Sequence, residues 1–155
     1  EEFEKIDHKQ LKSKAHRIDE ILKECEFQTI VHGDAKLANF CFSERGEGVA
    51  AVDFQYVGRG CGMKDVTYFL GSCLASEDCE IYTEELLDHD CEELGRAMAM
   101  KNHEIPVEKL EKEWRSMYPV AWTDFTRFML GWMPTHQKVN GYSEKLMNSV
   151  LQDLK

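Results

Sequence analysis

The hydrophobic pattern of the chain changes period twice, and this change limits the folds that it can adopt. One stripe at intervals of four and three consists of Leu11, Ala15, Ile18, Leu22 and Cys25. Short β-prone runs follow at 29–31, 39–43 and 49–54, and helical spacing returns after them. The pattern predicts a helix over 4–25, then a small β region, then more helices.

The β region contains a turn between its last two runs. ERGEG at 44–48 carries two glycines and three charges, which is typical of a turn. We therefore predict a β-hairpin over 39–54. Glycines at 58, 60 and 62 predict a mobile or tightly turned segment just after it.

Four or five helices are predicted after the hairpin, so the fold class is α+β and mainly helical. Their expected ranges or starting points are 65–75, about 83–100, Pro106 and Ser143. Asp65 is placed to cap the first of them, and Pro119 should kink or split the third. No linker divides the chain, so residues 1–155 are predicted to form a single domain.

Charge and hydropathy exclude several classes of partner. The net charge of −10 argues against nucleic acid, because phosphate backbones need a basic surface. The same charge suits a binder of metal ions or cationic small molecules, or an acidic surface that only maintains solubility. The chain has neither a long uncharged apolar stretch nor a basic-then-apolar leader, so we expect no membrane partner and a cytoplasmic location.

The six cysteines indicate neither a zinc site nor a disulfide framework. None of them forms a CxxC pair, and no histidine cluster has zinc-ligand spacing. Four of them, Cys25, Cys41, Cys73 and Cys91, have apolar neighbours in the sequence. We expect these four to be small core residues of a reduced protein.

The polar residues of the chain that indicate chemistry lie in the β region. VHGDAKLANFCF at 31–42 places Asp34 five residues before Asn39, and VAAVDFQYVG at 49–58 adds Asp53 after the hairpin. Phosphoryl transfer from ATP needs hard oxygen ligands for Mg²⁺ and a carboxylate for the proton of the attacking hydroxyl. Protein kinases supply these groups with the same spacing, on a catalytic loop and the following hairpin.

These motifs resemble the aminoglycoside phosphotransferase and choline kinase-like superfamily, and more narrowly its choline/ecdysteroid kinase-like branch. The resemblance implies a protein kinase-like C-terminal lobe whose β-hairpin carries the catalytic and metal-binding loops, with ATP and Mg²⁺ as cofactors. It implies that Asp34 is the catalytic base or orients the hydroxyl, and that Asn39 and Asp53 are magnesium ligands. His32 and Asp65 would support the loop.

Lys36 lies two residues after Asp34, where many protein kinases have a lysine that contacts the transferred phosphate. Our hypothesis is that Lys36 neutralises the moving phosphoryl group; the alternative is a solvated surface lysine. Gln55 and Tyr56 depart from the D-F-G triplet and resemble the D-F-E/Q-Y variants of the superfamily. The specific match covers about residues 27–75.

Candidate substrate residues follow from aromatic and acidic side chains near Pro119. Tyr118, Trp122, Asp124 and Trp132 could form a pocket for a cationic acceptor such as an amino alcohol. Aromatic residues at helical spacing are more often core, and that alternative applies here.

The N-terminal segment cannot supply a nucleotide-binding lobe. Residues 1–26 contain no glycine and have a helical pattern, whereas a kinase needs a glycine-rich cover and a strand lysine. Two hypotheses follow. The chain is the catalytic C-terminal lobe of a kinase that uses ATP to phosphorylate a small hydroxyl compound, or it is a non-catalytic binding module. The sequence determines neither the substrate nor the oligomeric state.

Overall fold

A computed structural model describes residues 4, 6–101 and 105–154. The helices in that part of the chain are α1 (Lys9–Glu24), α2 (Met63–Cys73), α3 (Ser76–Met100), α4 (Val107–Trp132) and α5 (Gly141–Asp153). The strands are β1 (Thr29–Val31), β2 (Phe40–Phe42), β3 (Val49–Ala51) and β4 (Gly58–Gly60). One 3₁₀ turn, Leu37–Asn39, precedes β2. The predicted mainly helical α+β fold is confirmed.

Helix α4 is the centre of the helical body and packs against α1, α2 and α5. The predicted stripe of α1 is confirmed, because all five of its members are buried. The helix itself begins at Lys9 rather than at residue 4. His8 is its N-cap and accepts a hydrogen bond at Nδ1 from the backbone N–H of Leu11.

Helix α4 continues through Pro119, so of the two predicted outcomes, a kink or a split, the split is wrong. Proline removes one backbone donor from a helix interior. The neighbours Tyr118, Val120 and Ala121 are all buried in the core. We infer that this packing holds the segment helical despite the missing hydrogen bond.

Three helices begin earlier than the pattern predicted. Helix α2 begins at Met63, so Asp65 lies in its first turn and does not cap it. Helix α3 begins at Ser76, about seven residues early, because the buried Cys79 extends its apolar stripe. Helix α5 begins at Gly141, where Asn140 is the N-cap and accepts a hydrogen bond from the backbone N–H of Ser143.

The β region consists of two antiparallel pairs. Strands β2 and β3 form the predicted hairpin, with Phe40 opposite Ala51. Strand β4 pairs with β1, with Val31 opposite Gly58, so the segment expected to be mobile or tightly turned is a strand. A three-residue strand with two glycines has no side-chain alternation that could have revealed it.

Only part of the cysteine prediction is correct. Cys25 and Cys91 are buried, whereas Cys41 and Cys73 are exposed, because strand β2 and the end of α2 leave those faces uncovered. All six cysteines are free thiols. Among the described residues, no helix is long and apolar enough to cross a membrane.

Candidate active site

The loop between β1 and β2, residues 32–39, holds most of the predicted catalytic residues, and we call it the catalytic loop for that reason. Strand β1 ends at Val31, and the chain then passes through residues 32–36 and the 3₁₀ turn into the hairpin. His32, Asp34 and Asn39 are all buried in this short loop. Buried polar groups require hydrogen-bond partners, and these partners define the geometry of the site.

The Asp34 carboxylate is held by several donors. Its Oδ2 atom accepts a hydrogen bond from Lys36 Nζ at 2.7 Å and another from Asn39 Nδ2 at 2.9 Å. Asn39 Nδ2 also donates to the backbone oxygen of Asp34 at 2.8 Å. The five-residue spacing seen in the sequence therefore closes a loop in which Asn39 fixes Asp34.

The charge state of Asp34 follows from these contacts. Burial alone would raise the pKa of its carboxyl group. Hydrogen bonds from Lys36 and Asn39, together with the Tyr68 hydroxyl, outweigh burial and hold that pKa below its ordinary value. Asp34 is therefore ionised at neutral pH and can accept a hydrogen bond from a hydroxyl group.

His32 joins the loop to the hairpin through both of its ring nitrogens. Nε2 lies 2.8 Å from the carbonyl oxygen of Val52, and because a carbonyl only accepts, we assign the proton to Nε2. Nδ1 is then free to accept the backbone N–H of Asp34 at 3.3 Å. The neutral ring thus fixes the residue before Asp53 relative to the catalytic loop.

Asp65 reaches the same loop from the first turn of α2. Its two carboxylate oxygens accept the backbone N–H groups of His32 at 2.6 Å and Gly33 at 2.9 Å. The side chain thus binds loop backbone donors instead of capping its own helix. This is the contact expected of a residue that supports the loop.

Gly33 allows the segment after Asp53 to approach the loop closely. It has a φ of +81°, which favours glycine, and an added Cβ atom would lie 2.8 Å from the Cβ atom of Tyr56. Only a residue without a side chain fits between these two backbones. Close packing against Tyr56 therefore explains why residue 33, in the His-Gly-Asp triplet, is a glycine.

Asn39 and Asp53 offer oxygen atoms to a cation. The backbone N–H of Val52 donates to the Asn39 carbonyl at 2.9 Å, so the hairpin returns Asp53 next to Asn39 along the backbone. Asn39 uses its amide nitrogen for Asp34, which leaves its amide oxygen available. The exposed Asp53 side chain has no hydrogen bond or ion pair with any described residue.

The donor set of this pair fits Mg²⁺ only as a partial site. Mg²⁺ is usually held by one or two carboxylates together with water and substrate phosphates. Across the described residues, no three His, Cys, Asp or Glu side chains are grouped to hold a metal ion. Asp53 also has a φ of +65°, a left-handed conformation that aspartate tolerates better than most residues.

A cleft of about 700 Å³ opens beside Asp34. Asp34 and Lys36 line it, whereas Asn39 and Asp53 do not. Its aromatic lining comprises Tyr56, Tyr68, Phe125, Phe128 and Trp132, and its remaining charged lining comprises Arg59, Lys64, Asp65, Asp124 and Arg127. The cleft lies between the catalytic loop and one face of α4.

The predicted substrate residues fall on different faces of α4. Tyr118 and Trp122 are buried in the core and do not line the cleft, so the core alternative applies to them. Trp122 donates from Nε1 to Ser143 Oγ at 3.0 Å. Asp124 does line the cleft and pairs with Arg127 at 2.7 Å. Residues two positions apart on a helix point about 200° away from each other, so Trp122 and Asp124 cannot share a face.

Asp124 and Trp132, which the sequence analysis named as pocket candidates, line the cleft, whereas Phe128 was missed. Asp124, Phe128 and Trp132 recur every four residues, and that spacing could have identified the cleft face. Lys138 was also missed; its ammonium lies 5.2 Å from the centre of the Tyr68 ring. Burial lowers the pKa of Lys138, and the positive charge of Lys36 lowers it further. No local pattern in the sequence points to that lysine.

Comparison with known proteins identifies the family. A family model described as the ecdysteroid kinase-like family matches residues 1–103. The chain belongs to the ecdysteroid kinase-like family. Residues 1–103 comprise the whole catalytic loop, the hairpin and α2, whereas α4 and α5 lie beyond them. No curated protein and no solved structure matches the chain significantly.

Membership of this family places the chain in the choline/ecdysteroid kinase-like branch of the kinase-like superfamily. The family points to kinase-like phosphotransferases in general. The fold agrees with a kinase-like C-terminal lobe, because a small hairpin region carries the polar loop and helices form the rest.

Proposed function

We propose that the chain is the catalytic lobe of an ATP- and Mg²⁺-dependent phosphotransferase that acts on the hydroxyl group of a small molecule. The observation that carries this proposal is the buried, ionised Asp34 carboxylate, fixed by Lys36 and Asn39 at the edge of a cleft. A fixed carboxylate facing a cleft of this size is what a hydroxyl acceptor needs for orientation.

Asp34 would orient the acceptor hydroxyl and receive its proton. A carboxylate with a lowered pKa is a weak base, so we infer that it positions the oxygen first and takes the proton as the new O–P bond forms. This order agrees with a loose transition state for phosphoryl transfer, in which the nucleophile needs little activation.

Lys36 would neutralise charge on the phosphoryl group. Its ammonium is paired with Asp34 here, yet 39% of the side chain is exposed, so it can reach toward an incoming phosphate. Lys36→Ala should therefore lower turnover at saturating ATP. Unchanged turnover would instead favour a solvated surface lysine.

Asn39 and Asp53 would hold Mg²⁺ through the amide oxygen and the free carboxylate. The bound ion would neutralise the negative charge of the nucleotide phosphates. The chain's own contribution is to keep these two oxygen donors ready, by the hydrogen bonds of Asn39 to Asp34 and of Val52 to Asn39.

A second lobe is part of this proposal, because apolar side chains around the hairpin are exposed. Ile30 is 80% exposed, and the other members of this surface are Leu37, Phe42, Val49, Val52, Phe54, Tyr56 and Val57. Large exposed apolar surfaces usually mark interaction sites. We infer that a nucleotide-binding lobe covers this one. In a non-catalytic module, the same surface would bind a partner protein.

ATP consumption with Mg²⁺ tests the proposal, using the intact gene product and a panel of alcohols and amino alcohols. Asp34→Asn should lower turnover by about 10²- to 10⁴-fold, the usual contribution of a general base. Asp153→Asn, at the exposed end of α5, is the matched control and should leave turnover unchanged. Acceptor-dependent activity that survives Asp34→Asn would contradict the mechanism. Absence of activity with every acceptor would favour the non-catalytic module.

A further inference from the structure

The cleft beside Asp34 has a charge pattern that bears on the class of acceptor. Asp34 and Lys36 line this cleft, whereas the proposed metal ligands Asn39 and Asp53 do not. If the proposed function holds, on which this inference rests, the nucleotide phosphates lie near the metal. The cleft is then the place for the acceptor.

Most charged groups in the cleft are already satisfied. Lys36 pairs with Asp34, and Arg127 pairs with Asp124. Asp65 accepts two backbone N–H groups of the catalytic loop. All three acids and two of the four cations therefore have partners within the protein.

Two cations of the cleft have no such partner. The side chains of Arg59 on β4 and Lys64 on α2 make no ion pair or hydrogen bond with any residue that the structure describes. Acidic groups are abundant elsewhere, with 29 aspartates and glutamates against 19 lysines and arginines. Other exposed cations, such as Arg45 and Lys112, also lack such contacts with the described residues, but Arg59 and Lys64 lie together in one cleft.

The stability of α2 does not explain Lys64. This residue lies in the first turn of the helix, where a positive charge is unfavourable because the N-terminal end of the helix dipole is positive. Arg59 is exposed and lies between two glycines, so it has little packing role. A ligand with a negative charge would compensate both side chains.

The side of the cleft that α4 forms carries exposed aromatic residues. Phe128 and Trp132 are stacked, with ring centroids 6.0 Å apart and planes inclined by 16°, and they are 41% and 53% exposed. Such a surface is suited to an apolar ring. The carboxylate that this helix face brings to the cleft, Asp124, is paired with Arg127, so no unpaired acid on this face favours a cationic amine.

We propose that this cleft binds an amphiphilic acceptor: a hydroxylated compound with an apolar ring body and an anionic group, such as a carboxylate, sulfate or phosphate. Phe128 and Trp132 contact the ring, and Arg59 and Lys64 bind the anion. This recognition distinguishes such acceptors from neutral or cationic compounds of the same size.

Binding measurements test this without requiring phosphoryl transfer. The probes are 2-naphthylacetate and its neutral counterpart 2-(2-naphthyl)ethanol, titrated into the intact protein by calorimetry. We expect the anionic probe to bind at least about tenfold tighter, with the preference falling as salt rises. The double variant Arg59→Gln/Lys64→Gln should abolish the preference but keep the weaker binding of the neutral probe.

The control is Arg45→Gln/Lys112→Gln, which removes the same charges from two exposed positions outside the cleft. This variant should keep the preference. Equal affinities of the wild-type protein for both probes would overturn the proposal, as would a preference that survives Arg59→Gln/Lys64→Gln. The preference is measured by binding and not by turnover, so a protein without kinase activity can still satisfy this test.

Nucleotide phosphates are the other source of anions for these two residues. Mg²⁺-ATP should not displace 2-naphthylacetate, because the nucleotide is proposed to bind at Asn39 and Asp53, which do not line the cleft. Displacement by Mg²⁺-ATP, together with weaker ATP binding in Arg59→Gln/Lys64→Gln, would assign the two cations to the nucleotide and overturn the acceptor proposal.

Discussion

The catalytic loop and the segment that follows β3 differ in burial and in bonding. In the loop, His32, Asp34 and Asn39 are buried, and each makes hydrogen bonds within the site. In the segment, residues 52–57 are all exposed, and the Asp53 side chain makes no hydrogen bond or ion pair with any described residue. The two regions lie side by side, because Val52 bonds to the loop through both of its backbone groups.

The loop residues are therefore held in place by the fold itself, whereas Asp53 would be held in place only by a bound ligand. The bonded loop is rigid without any ligand, so changes there should cost stability as well as activity. The Asp53 side chain makes no hydrogen bond or ion pair with the described residues, so its replacement should lower activity and leave stability unchanged. The predictions below test this separation.

The largest effect is expected for Asp53→Asn, which keeps the size of the side chain and its tolerance of a positive φ. Loss of the proposed magnesium ligand should lower turnover by about 100-fold or more, since a metal contributes several kcal/mol to charge stabilisation. The free energy of unfolding should change by less than about 0.5 kcal/mol. Kinase assays and thermal unfolding measure the two quantities. A large loss of stability would show that Asp53 has a structural role.

The next effect is expected for Gly33→Ala in the loop. A left-handed backbone costs alanine about 1–2 kcal/mol, and the new methyl group would collide with Tyr56. We expect a total loss of about 2–4 kcal/mol in the free energy of unfolding, measured with denaturant. Gly46→Ala is the control, because Gly46 has a φ of +70° but nothing within 4 Å. Equal losses in both variants would refute the close approach of Tyr56.

A smaller effect is expected for Asp65→Asn, which weakens the acceptor of two loop N–H groups. We expect a loss of about 1–3 kcal/mol in unfolding free energy and a parallel loss of turnover. Glu113→Gln is the matched control, because Glu113 accepts the backbone N–H groups of Glu26 and Phe27 at 2.7 and 2.8 Å, away from the cleft. It should lose stability but not turnover. Similar losses of turnover in both variants would contradict the prediction that Asp65 supports activity through the catalytic loop.

The smallest effect is a change of stability with pH that depends on Asp34. The pKa of this carboxyl is lower in the folded protein than its ordinary value near 3.9. Its ionised form therefore stabilises the fold above about pH 4, and this contribution is lost as the pH falls through the folded pKa. Wild-type stability should fall from pH 5 to pH 3 more steeply than that of Asp34→Asn. Parallel curves in thermal unfolding would contradict the lowered pKa.

The fold was predictable where the signal is local. The stripe of α1, the hairpin and the helical second half follow from periodicity and turn residues, which are properties of neighbours in the sequence. The start of α2 was missed, since Gly62 is at its N-cap for a packing reason: a Cβ atom there would overlap the ring of Trp114, 52 residues away.

In the candidate site, too, some residues could be recognised from the sequence, whereas others are brought in only by tertiary packing. The spacing of Asp34, Asn39 and Asp53 is visible in the sequence, and the resemblance to a kinase-like family suggests a role for each of them. Lys138 and the cleft face of α4 could not be read from the catalytic motifs, because they reach Asp34 only through packing of distant helices.

The sequence by itself determined that the candidate catalytic residues lie in a polar loop between two short strands, because hydrophobic period and residue spacing are fixed by the chain. Tertiary structure decided that Asp65 binds the loop from 33 residues away, that β4 pairs with β1, and that Tyr118 and Trp122 face the core. The physical reason is that each of these depends on contacts between residues far apart in sequence, and such contacts form only when the helices pack.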